Sequence, residues 1–389
     1  MSLFFECYHR QLNKWGEELC GDSVQVARTP LGLTAAVADG LGSGVQANIL
    51  STLTAKIAVS MLAQGADTDE VISTIALTLP MCKRRELAYS TINLLQLSPR
   101  GDCYLAEFDC PETFVFRGGS LYAPLRQERV VGDKRIKESR FTLAVGDMVF
   151  LISDGVIHAG VGANLNMGWQ WQNVATYIGK LAERNLGLRA IVSALSHTCG
   201  HLYMGKPGDD TTILGIAARE PMPVCILTGP PENSSRDKDI VRRFMGTAGL
   251  KVVCGGATAQ MVARELGVRI FTELKTMDDA IPPIAEMEGI DLVTEGMLTL
   301  SAALAIIRTF AASQDDIADS ALLKRPDGAS RLASLLLQRA THVHLMVGGA
   351  VNVAHFDCAS PRISPRGQLT RDLTHYLTQI GKEVTVEYF

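Results

Sequence analysis

The chain has 389 residues, 47% of them hydrophobic and 20% charged, which is too long for one ordinary core and too apolar for a disordered protein. Its 37 basic and 41 acidic residues leave a net charge of -4 with no basic patch, which argues against a protein that grips nucleic-acid phosphates. No uninterrupted apolar run reaches about 18 residues and Met1 to Arg10 lacks the regions of a signal peptide, so no membrane association is expected. The 9 scattered cysteines, with no CxxC pair, read as reduced thiols of a cytosolic protein.

In chain order, Val45 to Gln64 carries small and apolar residues at helical spacing, and Thr68 to Leu79 reads as a second helix. Ala88 to Leu97, Cys103 to Phe108, Thr113 to Arg117 and Ser120 to Leu125 are short, β-rich and separated by Gly, Pro or Asp. They predict an antiparallel meander. After the apolar run Thr211 to Ala218, Arg219-Glu-Pro-Met-Pro223 reads as a short stiff linker and divides the chain into 1–220 and 221–389. Beyond it the pattern alternates. Strands are expected at Val224 to Thr228, Lys251 to Cys254, Val268 to Phe271, Asp291 to Thr294 and His342 to Val347. Helices are expected near Asp237 to Ala248, Thr258 to Leu266, Leu298 to Ala312 and Arg331 to Arg339. That alternation predicts an open α/β sheet with helices on both faces.

The chemistry concentrates in four aspartates at abrupt turns. They are Asp22 in Cys20-Gly-Asp-Ser23, Asp39 in Val37-Ala-Asp-Gly-Leu-Gly-Ser-Gly44, Asp154 in Phe150-Leu-Ile-Ser-Asp-Gly155 and Asp209 in Gly208-Asp-Asp-Thr-Thr212. A carboxylate at a strand end is held rigidly with its oxygens free, which suits hard divalent cations. Any one Asp-Gly pair is usually a turn; four in this order carry more weight. Gly40 leaves its carbonyl free to turn toward a cation, while Gly42 and Gly44 let the chain bend at once into the following helix.

These motifs, with Gly146-Asp-Met-Val-Phe-Leu-Ile-Ser-Asp-Gly-Val156, resemble the metal-dependent serine/threonine phosphatases of the type 2C superfamily, most closely the stage II sporulation protein E type, over about residues 15 to 218. The resemblance implies an α+β fold: an α-β-β-α sandwich of two antiparallel sheets with flanking helices. It implies two Mn or Mg ions bridged by Asp39, with the carbonyl of Gly40, Asp154 and Asp209 on the first and Asp22 on the second, Asp39 and Asp22 being the catalytic pair. A water shared by the ions would attack phosphorus in line. Leu41 stands where many eukaryotic relatives have a histidine that protonates the leaving group, so the resemblance leaves that acid open, with a metal-bound water as the alternative. Asp210 is open between a further metal site and a role in orienting Asp209. The implied substrate is a phosphorylated protein such as an anti-sigma-factor antagonist. A small phosphoester or a purely scaffolding role are the alternatives.

Other features have plainer readings. Trp169 and Trp171, on a Gly-rich segment after Asp154, either cover the acidic site or pack the next helix. His197 and His201 share a helical face, and His342 and His344 a strand face, without further ligands; Lys83-Arg84-Arg85 reads as a solvated helix end. In the second half, Gly255, Gly256 and Thr258 of Cys254-Gly-Gly-Ala-Thr-Ala259 lead into a helix whose first amides could cradle a small anionic ligand that regulates the phosphatase. The alternative is a tight strand-to-helix turn.

Overall fold

A computed structural model describes residues 2–78, 81–82, 87–88, 90–131, 134–184, 186–273, 284–312, 322–350 and 365–389. The expected basic run Lys83-Arg84-Arg85 lies outside them. The chain folds as two compact units, Met1–Glu220 and Pro221–Phe389.

The first unit begins with β1 (Phe4–Leu12), β2 (Asp22–Thr29), β3 (Gly32–Gly40), α1 (Gly44–Ala63), α2 (Thr68–Thr78) and the two-residue strands β4 (Met81–Cys82) and β5 (Leu87–Ala88). There follow β6 (Ser90–Leu97), β7 (Asp102–Phe108), β8 (Phe114–Arg117), β9 (Ser120–Tyr122), β10 (Gln127–Val131), β11 (Lys134–Thr142) and β12 (Met148–Ile152). The short α3 (Asp154–Ile157), α4 (Trp171–Glu183), α5 (Leu188–Leu202) and β13 (Thr211–Arg219) complete it. One sheet has the order β1-β13-β12-β8-β9 and the other β10-β11-β7-β6-β3-β2.

Period-two alternation builds the layers. On β3, Leu33, Ala35 and Val37 face the slot between the sheets, where they meet Leu95, Leu105, Val149, Leu151, Leu214 and Ile216. Ala36 and Ala38 point outward onto Ala55, Ala58 and Leu62 of α1. On β12, Phe150 and Ile152 turn the other way, onto Val174 and Ile178 of α4 and Ile191 and Leu195 of α5. The result is a helix–sheet–sheet–helix sandwich, the α-β-β-α architecture expected above. The expected meander is corrected here: β6 and β7 pair in one sheet, whereas β8 and β9 pair in the other. Alternation is the same for neighbours in one sheet and for strands that cross to the opposite sheet, so it could not distinguish them.

α1 also departs from expectation, being long and apolar enough to cross a bilayer by length and composition. Its inner face is packed on β2, β3 and β6. Its outer face exposes Val45, Ile49, Leu53 and Ile57.

The second unit contains β14 (Pro223–Thr228), α6 (Asp237–Gly246), β15 (Leu250–Cys254), α7 (Gly256–Leu266), β16 (Ile270–Glu273), β17 (Ile284–Met287) and β18 (Ile290–Thr294). It continues with α8 (Met297–Ala312), α9 (Gly328–Ser334), β19 (His342–Val347), α10 (Pro365–Gln379) and β20 (Glu383–Tyr388). The sheet order is β16-β17-β18-β15-β14-β19-β20. Pairing is parallel from β18 to β20 and antiparallel at β16 and β17. Helices cover both faces: α8, α9 and α10 pack on Val224, Ile226 and Leu345, and α6 and α7 on Cys225, Leu227 and Met346. Strands β17 and β20 and helix α10 had no prediction.

Candidate metal centre

The acidic residues converge at one end of the sandwich, drawn from both sheets. Asp22 opens β2 and Asp39 lies near the end of β3, directly opposite one another in the antiparallel register. Asp39 has the parity of Leu33, Ala35 and Val37, so both carboxylates belong to the face that looks into the slot between the sheets. From the other sheet, Asp154 is the first residue of α3, just after β12, and Asp209 and Asp210 immediately precede β13. The two strand ends are tied together: the amide of Ser153 donates to the carbonyl of Thr212 at 3.0 Å, and the amide of Thr212 to the Ser153 hydroxyl at 2.9 Å.

Two glycines allow this convergence by close approach. A Cβ at Gly40 would collide with the carbonyl of Ala47 on α1, and one at Gly155 with the carbonyl of Asp210. The glycine beside each aspartate is therefore a packing surface as well as a turn residue, a role that spacing alone does not reveal.

Electrostatically the site is under strain. Burial, followed by the charges of Asp22, Asp154 and Asp209, pushes Asp39 far above the ordinary carboxylate range. Burial raises Asp22 in the same direction; the Thr212 and Ser153 hydroxyls favour its charged form, and Asp210 and Asp154 oppose it. Asp209 is raised by burial and by Asp154, and is partly relieved by Lys14. Neither carboxylate oxygen of Asp22 makes a well-formed hydrogen bond, and Oδ2 of Asp210 is equally buried without one.

Among the described residues, no three acidic, histidine or cysteine side chains close around a single point as a finished metal cage. Carboxylates that repel one another have no reason to close up until a cation draws them together. Buried oxygens without partners and an all-oxygen donor set nonetheless fit a hard divalent ion better than zinc.

The structure also brings in residues that the sequence did not single out. Gln11 on β1 donates from Nε2 to the carbonyl of Asp22 at 3.2 Å and to the Thr212 hydroxyl at 3.1 Å, joining the two sheets beside the acidic end. Lys14, on the connection from β1 to β2, places Nζ 3.9 Å from Asp209 Oδ1. Neither had a motif to mark it.

Several other candidates stand apart from this centre. Trp171 stacks on Phe114 at 4.7 Å and donates to the carbonyl of Glu112 at 2.8 Å, and Trp169 lies 5.4 Å from Tyr177, so both pack the start of α4. His197 and His201 lie on the exposed face of α5. His342 and His344 pair with Glu383 at 3.4 Å and Glu387 at 3.6 Å across β19 and β20. In the second unit, Gly255 has φ +122, a conformation that favours glycine. The Thr258 hydroxyl accepts the Gly229 amide at 2.9 Å, tying the turn after β14 to the first turn of α7. Gly256 opens α7.

Residues 30–219 match the family model of stage II sporulation protein E. Among solved structures, the phosphatase domain of the cell fate determinant SpoIIE from Bacillus subtilis is similar at 20% identity and a TM-score of 0.42, covering 56% of this chain and 94% of that one. RsbX in complex with magnesium matches at 20% identity and a TM-score of 0.41, over 55% of this chain and 96% of that one. The RsbU and RsbW domains of a Mycobacterium tuberculosis protein match at 15% identity and a TM-score of 0.44, over 62% and 69%. No curated protein matches the chain.

Proposed function

Since residues 30–219 form a type 2C phosphatase domain of the stage II sporulation protein E family, followed by an additional C-terminal region, we propose that this protein is a cytosolic, metal-dependent phosphoserine/phosphothreonine protein phosphatase. The observation that carries the reading is the opposition of Asp22 and Asp39 in register, with Asp154 and Asp209 brought to them from the second sheet. Such a cluster costs stability unless cations neutralise it, and that cost is typical of a site kept for chemistry. Asp22, Asp39, the carbonyl of Gly40, Asp154 and Asp209 would hold two Mn or Mg ions, which acidify water and neutralise phosphoryl charge when bound.

The chain's own residues set the geometry for this. The register of β2 and β3 spaces Asp22 and Asp39. The Ser153 and Thr212 hydrogen bonds hold the ends of β12 and β13 together, and Gly155 against Asp210 brings the Asp154 turn onto the Asp209 turn. The substrate we propose is a phosphorylated signalling protein, of which an anti-sigma-factor antagonist is the leading example. We assign the second unit a regulatory role, with Gly255, Gly256 and Thr258 as the part of it that meets a small anionic ligand.

The test is turnover of phosphoserine and phosphothreonine peptides against small phosphoesters, with Mn and with chelator. We expect Mn-dependent hydrolysis that EDTA abolishes and added Mn restores. Undiminished activity in excess EDTA would sink the metal assignment, and a strong preference for small esters would replace the protein substrate with a metabolite.

A further inference from the structure

The parallel strands of the second unit lie in the order β18-β15-β14-β19-β20. The chain therefore runs outward from β14 through β15 to β18, then crosses to the other side of β14 to form β19 and β20. The strand order reverses between β14 and β19, and open α/β sheets take ligands at the carboxyl ends of two such strands. Here that edge is floored by glycine. A Cβ on Gly348, after β19, would collide with the carbonyl oxygens of Gly229 and Pro230, and a Cβ on Gly229, after β14, would collide with Nη1 of Arg366.

Arg366, near the start of α10, brings a charge to this edge. Its Nη1 donates to the carbonyls of Gly348 at 2.7 Å and Ala350 at 2.9 Å. Among the described residues, no carboxylate pairs with it, and Nε and Nη2 take no acceptor. The guanidinium is half-buried, and burial lowers its pKa with no opposing carboxylate to restore it. Arg243 and Arg264 of the same unit are more exposed, yet each pairs with a carboxylate. Bracing two carbonyls takes N–H groups, not a charge, and a desolvated cation without a counter-ion costs free energy. The unused Nε–Nη2 edge is a planar pair of donors of the kind that grips two phosphate oxygens at once.

A carboxylate stands across the same turn. Glu232 is exposed, and its Oε1 lies 3.2 Å from where a Cβ on Gly349 would stand. It accepts hydroxyl donors and repels a second phosphate. The edge thus offers a cation to one end of a ligand and an acceptor to the other.

We propose that the glycine-floored edge between β14 and β19 binds a sugar phosphate, free or as part of a nucleotide, with Arg366 holding the phosphate and Glu232 a sugar hydroxyl. The inference rests on the reading of the second unit as the binder of a small anion and supplies the cation for it. The Thr258 hydroxyl, 2.9 Å from the Gly229 amide, sets the start of α7 beside the same turn.

The test is calorimetry on the full chain with ribose 5-phosphate, AMP, adenosine and inorganic phosphate. EDTA is present throughout, to keep the acidic centre of the first unit from holding or hydrolysing them. We expect at least one of the two esters to bind, and adenosine to bind at least about tenfold more weakly than AMP, as for loss of a charged hydrogen bond. Tighter binding of AMP supports a nucleotide, and tighter binding of ribose 5-phosphate a free sugar phosphate. Arg366→Met should raise the Kd of the bound ester about tenfold or more, and Arg366→Lys, which keeps the charge without the fork, should recover part of it. Glu232→Gln should weaken ribose 5-phosphate about threefold or more and leave inorganic phosphate unchanged or tighter. An unchanged Kd in Arg366→Met, or adenosine as tight as AMP, overturns the proposal. If wild type binds inorganic phosphate but neither ester, the proposal fails while the small-anion reading stands; if it binds none of the phosphates, both fail. Should Arg366→Met lose the melting transition of the second unit, the comparison of AMP with adenosine in wild type and the Glu232→Gln titration decide.

Discussion

Asp39→Asn separates the electrostatic reading from a merely structural one, because it should make the protein worse at chemistry and more stable without metal. The substitution preserves shape and removes one charge from a group that faces Asp22, Asp154 and Asp209. In the metal-free chain at pH 7, Asp39 must either stay charged among them or keep a proton against an ordinary pKa of 3.8. The second option caps the penalty, since about 1.4 kcal/mol for each pH unit above the ordinary value comes to no more than ~4 kcal/mol. Asp39 is only partly buried, and screening by solvent brings the working range to roughly 1 to 3 kcal/mol. For a unit of this size each kcal/mol moves the melting temperature by about 2 to 4 °C, so Asp39→Asn in EDTA should melt roughly 2 to 12 °C above wild type. With Mn the order should reverse: wild type gains stability by binding the ion and the variant gains little. Turnover should fall at least about a hundredfold, as expected when transition-state charge loses its stabilisation. Thermal unfolding at fixed pH with and without Mn, together with phosphopeptide turnover, supplies every number needed. A lower metal-free melting temperature in the variant, or near-wild-type turnover with the Mn response intact, would refute the reasoning.

The raised Asp22, Asp39 and Asp209 fix the sign of the pH dependence. The folded metal-free chain holds protons that the unfolded chain gives up above about pH 4, so its stability should fall as pH rises from there through neutrality, and Asp39→Asn should flatten the slope. Melting temperatures in EDTA at several pH values test this, and a rise with pH contradicts it. Gly40→Ala should cost roughly 1 to 3 kcal/mol, because the new Cβ meets the backbone of Ala47 and α1 must move. A denaturant midpoint unchanged from wild type would show that the close approach does not matter. Gly255→Val, by contrast, is a poor probe of ligand binding: φ +122 already strains it, and a Cβ would sit 3.0 Å from Thr258 Oγ1.

Much of the molecule was legible in local pattern. Helical spacing located α1 and α2 within a residue or so, and the alternating segments of the second half marked β14, β15, β18 and β19 together with α6, α7 and α8. The order of the four Asp-containing motifs carried the resemblance to the type 2C phosphatases, because each motif combines a strand end, a carboxylate and a glycine within a few residues. Such features are local, and a chain of side chains in sequence records them. β20 and α10 escaped notice because edge strands and half-exposed helices carry a weaker apolar period than elements buried on both faces, and β17 because its 4 residues are too few to show a period.

Tertiary structure decided the rest. Whether β8 and β9 continue the sheet of β6 and β7 depends on partners further along the chain, and β12, itself paired with β13, took β8. The meeting of Asp39 with Asp209 joins residues well over a hundred positions apart, through two sheets whose slot-facing parity no single strand reveals. The reason for Gly40 and Gly155 lies in the backbone each one touches, and the amide of Lys14 finds Asp210 only after β1 has paired with β13. Periodicity is a property of neighbours in sequence. Pairing, close approach and the mutual repulsion of carboxylates are properties of neighbours in space, and they exist only once the sandwich has closed.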